Sequence, residues 1–441
     1  LFDSLDELLA EAKKAGATAA DAVAAQSTSV SVALRKGQLT DLERSEGMEV
    51  GLRVLVGKRQ ASLASSDINP AGFRELAERA VATAKLAPED PYAGLPDFDE
   101  CATSIPGLDV FDQREPPAEE LIEKAKQMEE AGRANPAIDQ IEESNAASSI
   151  SAAAYHASNG FSGAMRSSMH HISLTAIAGT GTGMVRDYDH AMAHHASDLR
   201  APEEVGALAA VRAASRRNAR KMPSAKVPVI FSSRMSGSIL RYFLGAINGM
   251  SLARKSSFLV DKLGEEIFSK NITIIDDPLM MRGLRSRPFD GEGLASEKRA
   301  LVKNGKLEGL LLNLAAARQL NMRSTGSASR DSGGPPGISA SNVYMEKGEL
   351  SPEALISDIK KGFLVVETMG FGVSTLTGDF SQGAAGFWIE DGEIAFPVHE
   401  MTIAGNLKDM FKNLTPASDL QFRHGVDAPT LRIEGMTVAG S

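Results

Sequence analysis

Three dipeptides limit what this chain can fold into more tightly than any other feature: Asn159-Gly160, Asn304-Gly305 and Asp391-Gly392. A two-residue type I′ hairpin needs positive φ at both central residues, a conformation that Asn or Asp followed by Gly adopts readily. Antiparallel strand pairs are therefore expected in the middle and last parts of the chain. The first part changes period along its length. Leu5, Leu8 and Leu9 recur at helical spacing, and Gly16 follows Lys13 and Lys14 as a helix stop would. Residues 27–65 then run in short β-branched stretches, with Lys36-Gly37 and Gly57-Lys58 where hairpin turns belong, which predicts a meander of about four strands. Asn69 is placed to cap a second helix, with Pro70 at its first position and Phe73, Leu76, Ala77 and Val81 on one face.

Proline punctuates the rest. Between residues 88 and 117, Pro91, Pro96, Pro106 and Pro116 deny regular structure to their neighbours, so this segment reads as a linker. A helix over 118–134 follows, then alternating residues from 150 to 178 that suggest a second sheet, and a helix over 202–221. Pro223 and Pro228 mark a boundary, after which the apolar run 227–231 reads as a strand feeding a helix that carries Ile239, Leu240, Phe243 and Leu244. With no long internal repeat, the expectation is an α+β chain of several domains with antiparallel-rich sheets and covering helices: an N-terminal α/β domain over 1–95, a middle domain over 96–225 and a strand-rich domain over 226–441. A chain of 441 residues is too long for one ordinary core, which agrees with this division.

A net charge of −10 opposes the counterion release that drives nonspecific nucleic-acid binding, so direct contact with nucleic acid is not expected. The one basic cluster, residues 212–226, is spaced like the solvated face of a helix. No apolar run approaches the roughly 20 residues that span a bilayer. The first fifteen residues lack the basic start and cleavage site of a secretory signal. The single cysteine, Cys101, cannot form an internal disulfide and reads as an ordinary linker thiol. A soluble protein of the cytoplasm is the expectation.

Several motifs invite chemistry. Gly179, Gly181 and Gly183 lack the spacing of a dinucleotide loop and continue into a strand-like segment. His190, His194 and Asp198 fall at i, i+4 and i+8, which on a helix would set three metal donors on one face. His399-Glu400 has no second histidine at zinc-motif spacing and sits in a strand-like alternation. Residues 322–341 form a Ser-, Gly-, Arg- and Pro-rich run long enough to act as a lid, or to be a plain connection.

In the last domain, Pro288-Phe289-Asp290-Gly291-Glu292-Gly293, the hairpin 302–312, Ser324-Thr325-Gly326, Ser341-Asn342, Thr377-Gly378-Asp379-Phe380-Ser381 and Ile403-Ala404-Gly405-Asn406-Leu407 together resemble the TldD/PmbA family, and within it the PmbA/TldE branch. The resemblance extends through 53–65 to the whole chain. It implies one of two related subunits of a cytoplasmic zinc metalloprotease that takes unfolded or extended peptides. The motif His-Glu-x-x-x-His and a late cysteine ligand belong to the TldD-like partner. Carried onto this sequence, the motif falls on Arg241, Tyr242 and Ala246: a permanent cation, a phenol that is a poor base near neutral pH, and a methyl group. Residues 425–441 contain no cysteine.

The resemblance therefore implies a subunit with no catalytic residues or metal of its own. Asp290, Glu292, Ser324, Thr325, Asn342, Gly378 and Ser381 become candidates for a peptide cleft or its loops. The strand-rich domain is expected to offer a strand edge to the peptide, under the 322–341 loop. Without its partner the chain could pair with itself, two-fold pairing being the commonest assembly. Two other readings stand beside this one. The first is an independent metallohydrolase using His190, His194 and Asp198. The second follows the family's older name and is indirect modulation of DNA gyrase through degradation of a toxin or antidote protein.

Overall fold

The computed structural model describes residues 2–370 and 372–440. Leu1 and Ser441, which bound two of the segments read from the sequence, lie outside the described residues. Helix α1 (Phe2–Ala15) leads into β1 (Ala19–Arg35), β2 (Gln38–Val56) and β3 (Arg59–Ser65). The expected four-strand meander is thus three strands. Only two turns interrupt it, with Lys36 and Gly37 at φ 56° and 74° and Gly57 at φ 62°. Helix α2 (Pro70–Leu86) starts as expected, the Asn69 side chain accepting from the Gly72 N–H at 2.9 Å.

Helix α3 (Ala118–Arg133) is followed by β4 (Gln140–Ala157), β5 (Ser162–Ala178) and β6 (Val185–Ala193), then α4 (Pro202–Ser215). No separate second sheet forms. β4 pairs antiparallel with β1 from Asp21↔Ala157 to Leu34↔Ser144, giving one six-stranded sheet in the order β3-β2-β1-β4-β5-β6. Period-2 alternation along such long strands explains its layering. Ala20, Ala22 and Ala24 face α1 and α2, and Val30, Val32 and Leu34 face α3 and α4 farther along the same side. The opposite face carries Asp21, Val23, Arg53 and Tyr155 toward the C-terminal half.

Residues 88–117 are largely irregular, as a linker should be, yet they are laid into the seam rather than free. Cys101 is buried and bridges to Leu294, and the Leu108 and Val110 carbonyls accept from Arg282 and Ser168. Helix α4 stops six residues short of the expected end, and its basic residues are not a solvated face. Arg212 and Arg216 pair with the buried Asp189 and Asp187. The Arg216, Arg212 and Arg200 side chains also donate to the carbonyls of Arg186, Tyr188 and His190, successive outward positions along the edge strand β6.

The C-terminal half begins with β7 (Ala225–Phe231) and α5 (Ser233–Ala246). Short strands β8 (Ile274–Asp276), β9 (Arg299–Lys303) and β10 (Lys306–Leu307) follow, then the two-residue strands β11 (Ala328–Ser329) and β12 (Gly337–Ile338), and β13 (Val343–Met345). The chain ends with β14 (Lys361–Met369), β15 (Asp379–Glu390), β16 (Glu393–Asn406), β17 (Leu414–Pro416), β18 (Val426–Asp427) and β19 (Leu431–Ala439). The sheet β16-β15-β14-β7-β19-β17 gains a further pairing between β16 and β19 and closes into a barrel. Both turn dipeptides of this half hold positive φ at both positions, 51° and 78° at Asn304-Gly305 and 48° and 85° at Asp391-Gly392. Val227, Val229 and Phe231 point into the main core with Phe243, Phe363 and Phe380, while Ile230 faces Ile356, Ile359 and Ile389.

Barrel closure removes the free edge of β16, whose outer side is taken by β19 at 402–404 and by a bridge from Arg220 to Val398, while the separate sheet β10-β9-β8-β13-β18 keeps its outer strands. Among the described residues no helix is long and apolar enough to cross a membrane.

Helices α3 and α4 approach most closely at Gly206, where a Cβ would lie 2.1 Å from the Met128 carbonyl oxygen. Gly206→Ala should therefore lower stability by about 1–3 kcal/mol despite the better helix propensity of alanine. Chemical denaturation against the parent chain measures this.

Candidate functional site

Strand β7 delivers the chain to Ser232, the residue before α5, and the helix then presents its faces by 3.6-residue periodicity. Ala246 is fully buried in the barrel core. Tyr242 stands half out of it, its ring edge-on to Phe380 at 5.9 Å and its hydroxyl accepting from Gln382 Nε2 at 2.7 Å. Burial raises its phenol further above neutral pH. Arg241 is exposed on the helix and faces His424 and Asp427; burial and then the charges of Arg241 and Arg423 push the His424 imidazole down. A zinc ion does not fit these three positions. One offers a cation, one a protonated phenol and one a buried methyl.

The alternative metal site does not assemble either, because the segment is not a helix. His190 lies on β6, His194 just beyond it and Asp198 in a single 3₁₀ turn. His194 uses both ring nitrogens on backbone carbonyls, Nδ1 on Ser168 at 2.7 Å and Nε2 on Gly283 at 3.1 Å. Asp198 pairs with Arg282 at 3.0 Å, and His190 packs against His171, Tyr188 and His424. Among the described residues no three His, Cys, Asp or Glu side chains stand close enough to share a metal ion. Gly179 and Gly181, both at positive φ, make the turn between β5 and β6 rather than a phosphate loop.

The cleft candidates are dispersed. Asp290 and Glu292 are buried scaffold. Asp290 Oδ1 accepts from the N–H groups of Glu292 and Leu294, its Oδ2 accepts from Ala328, and Glu292 Oε2 accepts from Leu314 at 2.8 Å. Burial, and next the Asp290 charge, push the Glu292 carboxyl up to about 8. Ser324 and Thr325 bind the carbonyls of Leu312 and Leu310 beside a polar cavity of about 480 Å³. Asn342 is buried, accepting from Arg285 N–H and donating to Asp277 O and Ser286 Oγ, on the wall of another cavity of about 390 Å³. Gly378 makes a positive-φ turn under Asn406, and Ser381 precedes Gln382 on β15, near Tyr242.

The 322–341 loop is neither lid nor slack connection. Its hairpin β11–β12 carries Arg330 onto the N-terminal sheet, where Asp21 accepts from Arg330 Nε at 3.0 Å and from Arg53 Nε at 2.5 Å. All three side chains are at most 3% exposed. Farther on, Ser332 donates to Glu49 and its backbone lies against Gly51, where a Cβ would meet the Ser332 oxygen at 2.1 Å.

Sequence reasoning missed the densest charged site. Around edge strand β6, Asp189 holds Arg200 and Arg212 at 2.6 and 2.7 Å, and Asp187 holds Arg216 and Arg234 at 3.2 and 2.6 Å. His190, His171, His424 and Arg423 close the group. Aspartates two apart on a strand, opposite arginines four apart at the end of α4, are the available signal, hidden because His190, His194 and Asp198 are spaced like one helical face.

A six-stranded, helix-covered sheet joined to a closed barrel is the architecture of a metallopeptidase relative. Residues 20–84, 111–217 and 224–440 match domain 1, the central domain and the C-terminal domain of the PmbA/TldA metallopeptidases. The chain is 36% identical to metalloprotease PmbA of Escherichia coli, covering 98% of this chain and 94% of that one. To the Haemophilus influenzae PmbA homolog it is 34% identical, with the same two coverages. Among solved structures it superposes on a Bacteroides thetaiotaomicron protein, described as a candidate modulator of DNA gyrase, with a TM-score of 0.92 at 25% identity over 100% of this chain and 98% of that one. TldE from Thermococcus kodakarensis shares the fold at a TM-score of 0.88 and 23% identity over 99% and 100% of the two chains. The chain belongs to the PmbA/TldD family, and its near-full-length likeness to PmbA proteins places it with the metalloprotease-like PmbA members.

Two outcomes test the buried network. Asp21→Asn leaves two buried guanidiniums without their carboxylate and should cost about 3–5 kcal/mol in urea unfolding. A carboxyl raised from 4.5 to about 8 binds a proton that the unfolded chain has released, so its contribution to stability falls as pH rises through that window. Glu292→Gln should remove this component, and the gap between variant and parent should move in the variant's favour from pH 4.5 to pH 8.

Proposed function

We propose that this chain is the PmbA/TldE-type subunit of a cytoplasmic zinc metalloprotease that acts on unfolded or extended peptides. It contributes to binding, and a TldD-like partner holds the metal. The observation that carries this reading is the composition of α5: Arg241, Tyr242 and Ala246 stand where the metal-bearing relatives are expected to place ligand, base and ligand. A guanidinium repels Zn²⁺, and the buried Ala246 leaves neither a donor atom nor space for one. The independent metallohydrolase has no such support, since His194 and Asp198 are committed to other partners.

Peptide engagement in this reading falls to the cavities between the two halves rather than to the closed barrel, with Asn342 on the wall of the one of about 390 Å³ that meets the end of β6. Without its partner the chain pairs with a second copy of itself. Any influence on DNA gyrase, a role named for a structural relative, lies downstream of proteolysis, because an acidic chain is a poor ligand for DNA.

Purified alone, the full chain should carry substoichiometric zinc by elemental analysis and leave an unfolded peptide intact, and cleavage should start on adding a TldD-like subunit. Stoichiometric zinc on the chain alone, or cleavage without a second polypeptide, overturns the reading.

A further inference from the structure

Two cavities meet at Arg423. The larger, about 390 Å³, is walled by Met280, Met281, Leu284, Tyr344 and Phe422, and the smaller lies among Asp189, His190, Arg212, Arg234 and His424; Arg423 and Asp427 line both. The charges here do not balance in pairs. Asp189 is shared by Arg200 and Arg212, with Glu204 a second partner of Arg200, and Asp187 is shared by Arg216 and Arg234, with Glu367 a second partner of Arg216. Asp198, on the wall of the larger cavity, pairs with Arg282, and Asp427 spends its oxygens on the backbone: Oδ1 accepts from the N–H groups of Arg423 and His424, and Oδ2 from Gly425, at 3.0–3.1 Å.

Neither Arg423 nor Arg241 makes an ion pair or a side-chain hydrogen bond among the described residues, although both sit near Asp427. Partly buried, Arg423 is disfavoured as a cation by burial and then by Arg200, an effect that Asp189 opposes and Arg212 adds to. The neighbouring imidazoles are pushed down as well, His171 by burial alone, His190 to about 4 by burial and then by His424, and His424 by burial and then by Arg241. The pocket's positive charge is therefore that of arginine. On a chain of net charge −10 this is a local inversion of sign.

We infer that Arg423 is a carboxylate-binding residue for peptides, taking a C-terminal carboxylate or an acidic side chain while a neighbouring apolar side chain lies in the Met280–Phe422 cavity. The inference rests on the peptide-binding reading above. The excess is about one positive charge, which matches a monoanion, and the planar guanidinium fork matches a carboxylate in two parallel hydrogen bonds. A doubly charged phosphate would bring its second charge against Asp189 and Asp427. The loop geometry supports the assignment, because Asp427 fixes the 423–425 backbone and so aims the side chain before any ligand arrives.

The test is fluorescence anisotropy with the full chain and three N-terminally labelled apolar peptides: a free acid, its C-terminal amide, and an amide with one internal Glu. The free acid or the Glu peptide should bind about tenfold or more tightly than the plain amide. Which of the two gains shows whether the carboxylate is terminal or in a side chain. Arg423→Gln should remove the preference while leaving amide binding and the melting temperature unchanged, and Arg423→Lys should restore part of it. Equal binding of all three peptides, or a preference that survives in Arg423→Gln, overturns the inference while leaving the peptide-binding reading in place. Failure of every peptide to bind overturns both.

Discussion

The Asp21 carboxylate, held between Arg53 of the same sheet and Arg330 of a distant loop, ties the two halves of this protein together. Its position follows from register. Asp21 sits opposite Arg53 on β2 and Ala157 on β4, on the face away from the four covering helices. Charges at so small an exposure survive only when paired and hydrogen-bonded, so the hairpin that delivers Arg330 is a structural necessity of the N-terminal sheet. Asp290 completes the arrangement by accepting from Ala328 at the hairpin's base, so the Asp-Gly-Glu-Gly segment is part of the joint, and Asp290 and Gly291 also line a cavity of about 250 Å³ against β4.

The site on α5 shows how a packed core can carry like charges side by side. Strand β7 feeds the helix beside a loop from the last part of the chain, and this framework carries Arg241 on the helix with Arg423 and His424 on the loop, so that positive charge gathers in one place. Phe243, Phe363 and Phe380 keep the packing beneath it.

Local signals in the sequence proved sound where the physics is local. The Asn69 cap, the β7 strand feeding α5, and the dipeptides Asn304-Gly305 and Asp391-Gly392 all depend on a few adjacent residues, and each took the expected form. The larger errors are of long range, although local signals also failed where Asn159-Gly160 turns with positive φ at Gly160 alone and α4 ends six residues early. Joining β1 to β4 is a pairing across more than a hundred residues that neither strand advertises, so one sheet was read as two. His190 and His194 satisfy a helical spacing, yet the alternation of buried Asp187, Asp189 and Ala191 marks a strand whose buried side is acidic, and acid on a buried face looks like exposure. Arg212 and Arg216 look like surface charge in the sequence for the same reason, because only the fold reveals that their partners are buried.

The arginines that reach the carbonyls of Arg186, Tyr188 and His190 have a meaning for assembly. An outermost strand normally offers its backbone to any passing segment, and long sheets open on that side tend to grow into fibres. Here those three oxygens already accept from Arg200, Arg212 and Arg216, in and around helix α4, so this rim offers an incoming strand few free acceptors. A segment pairing there would have to displace guanidiniums that Asp187 and Asp189 hold in place.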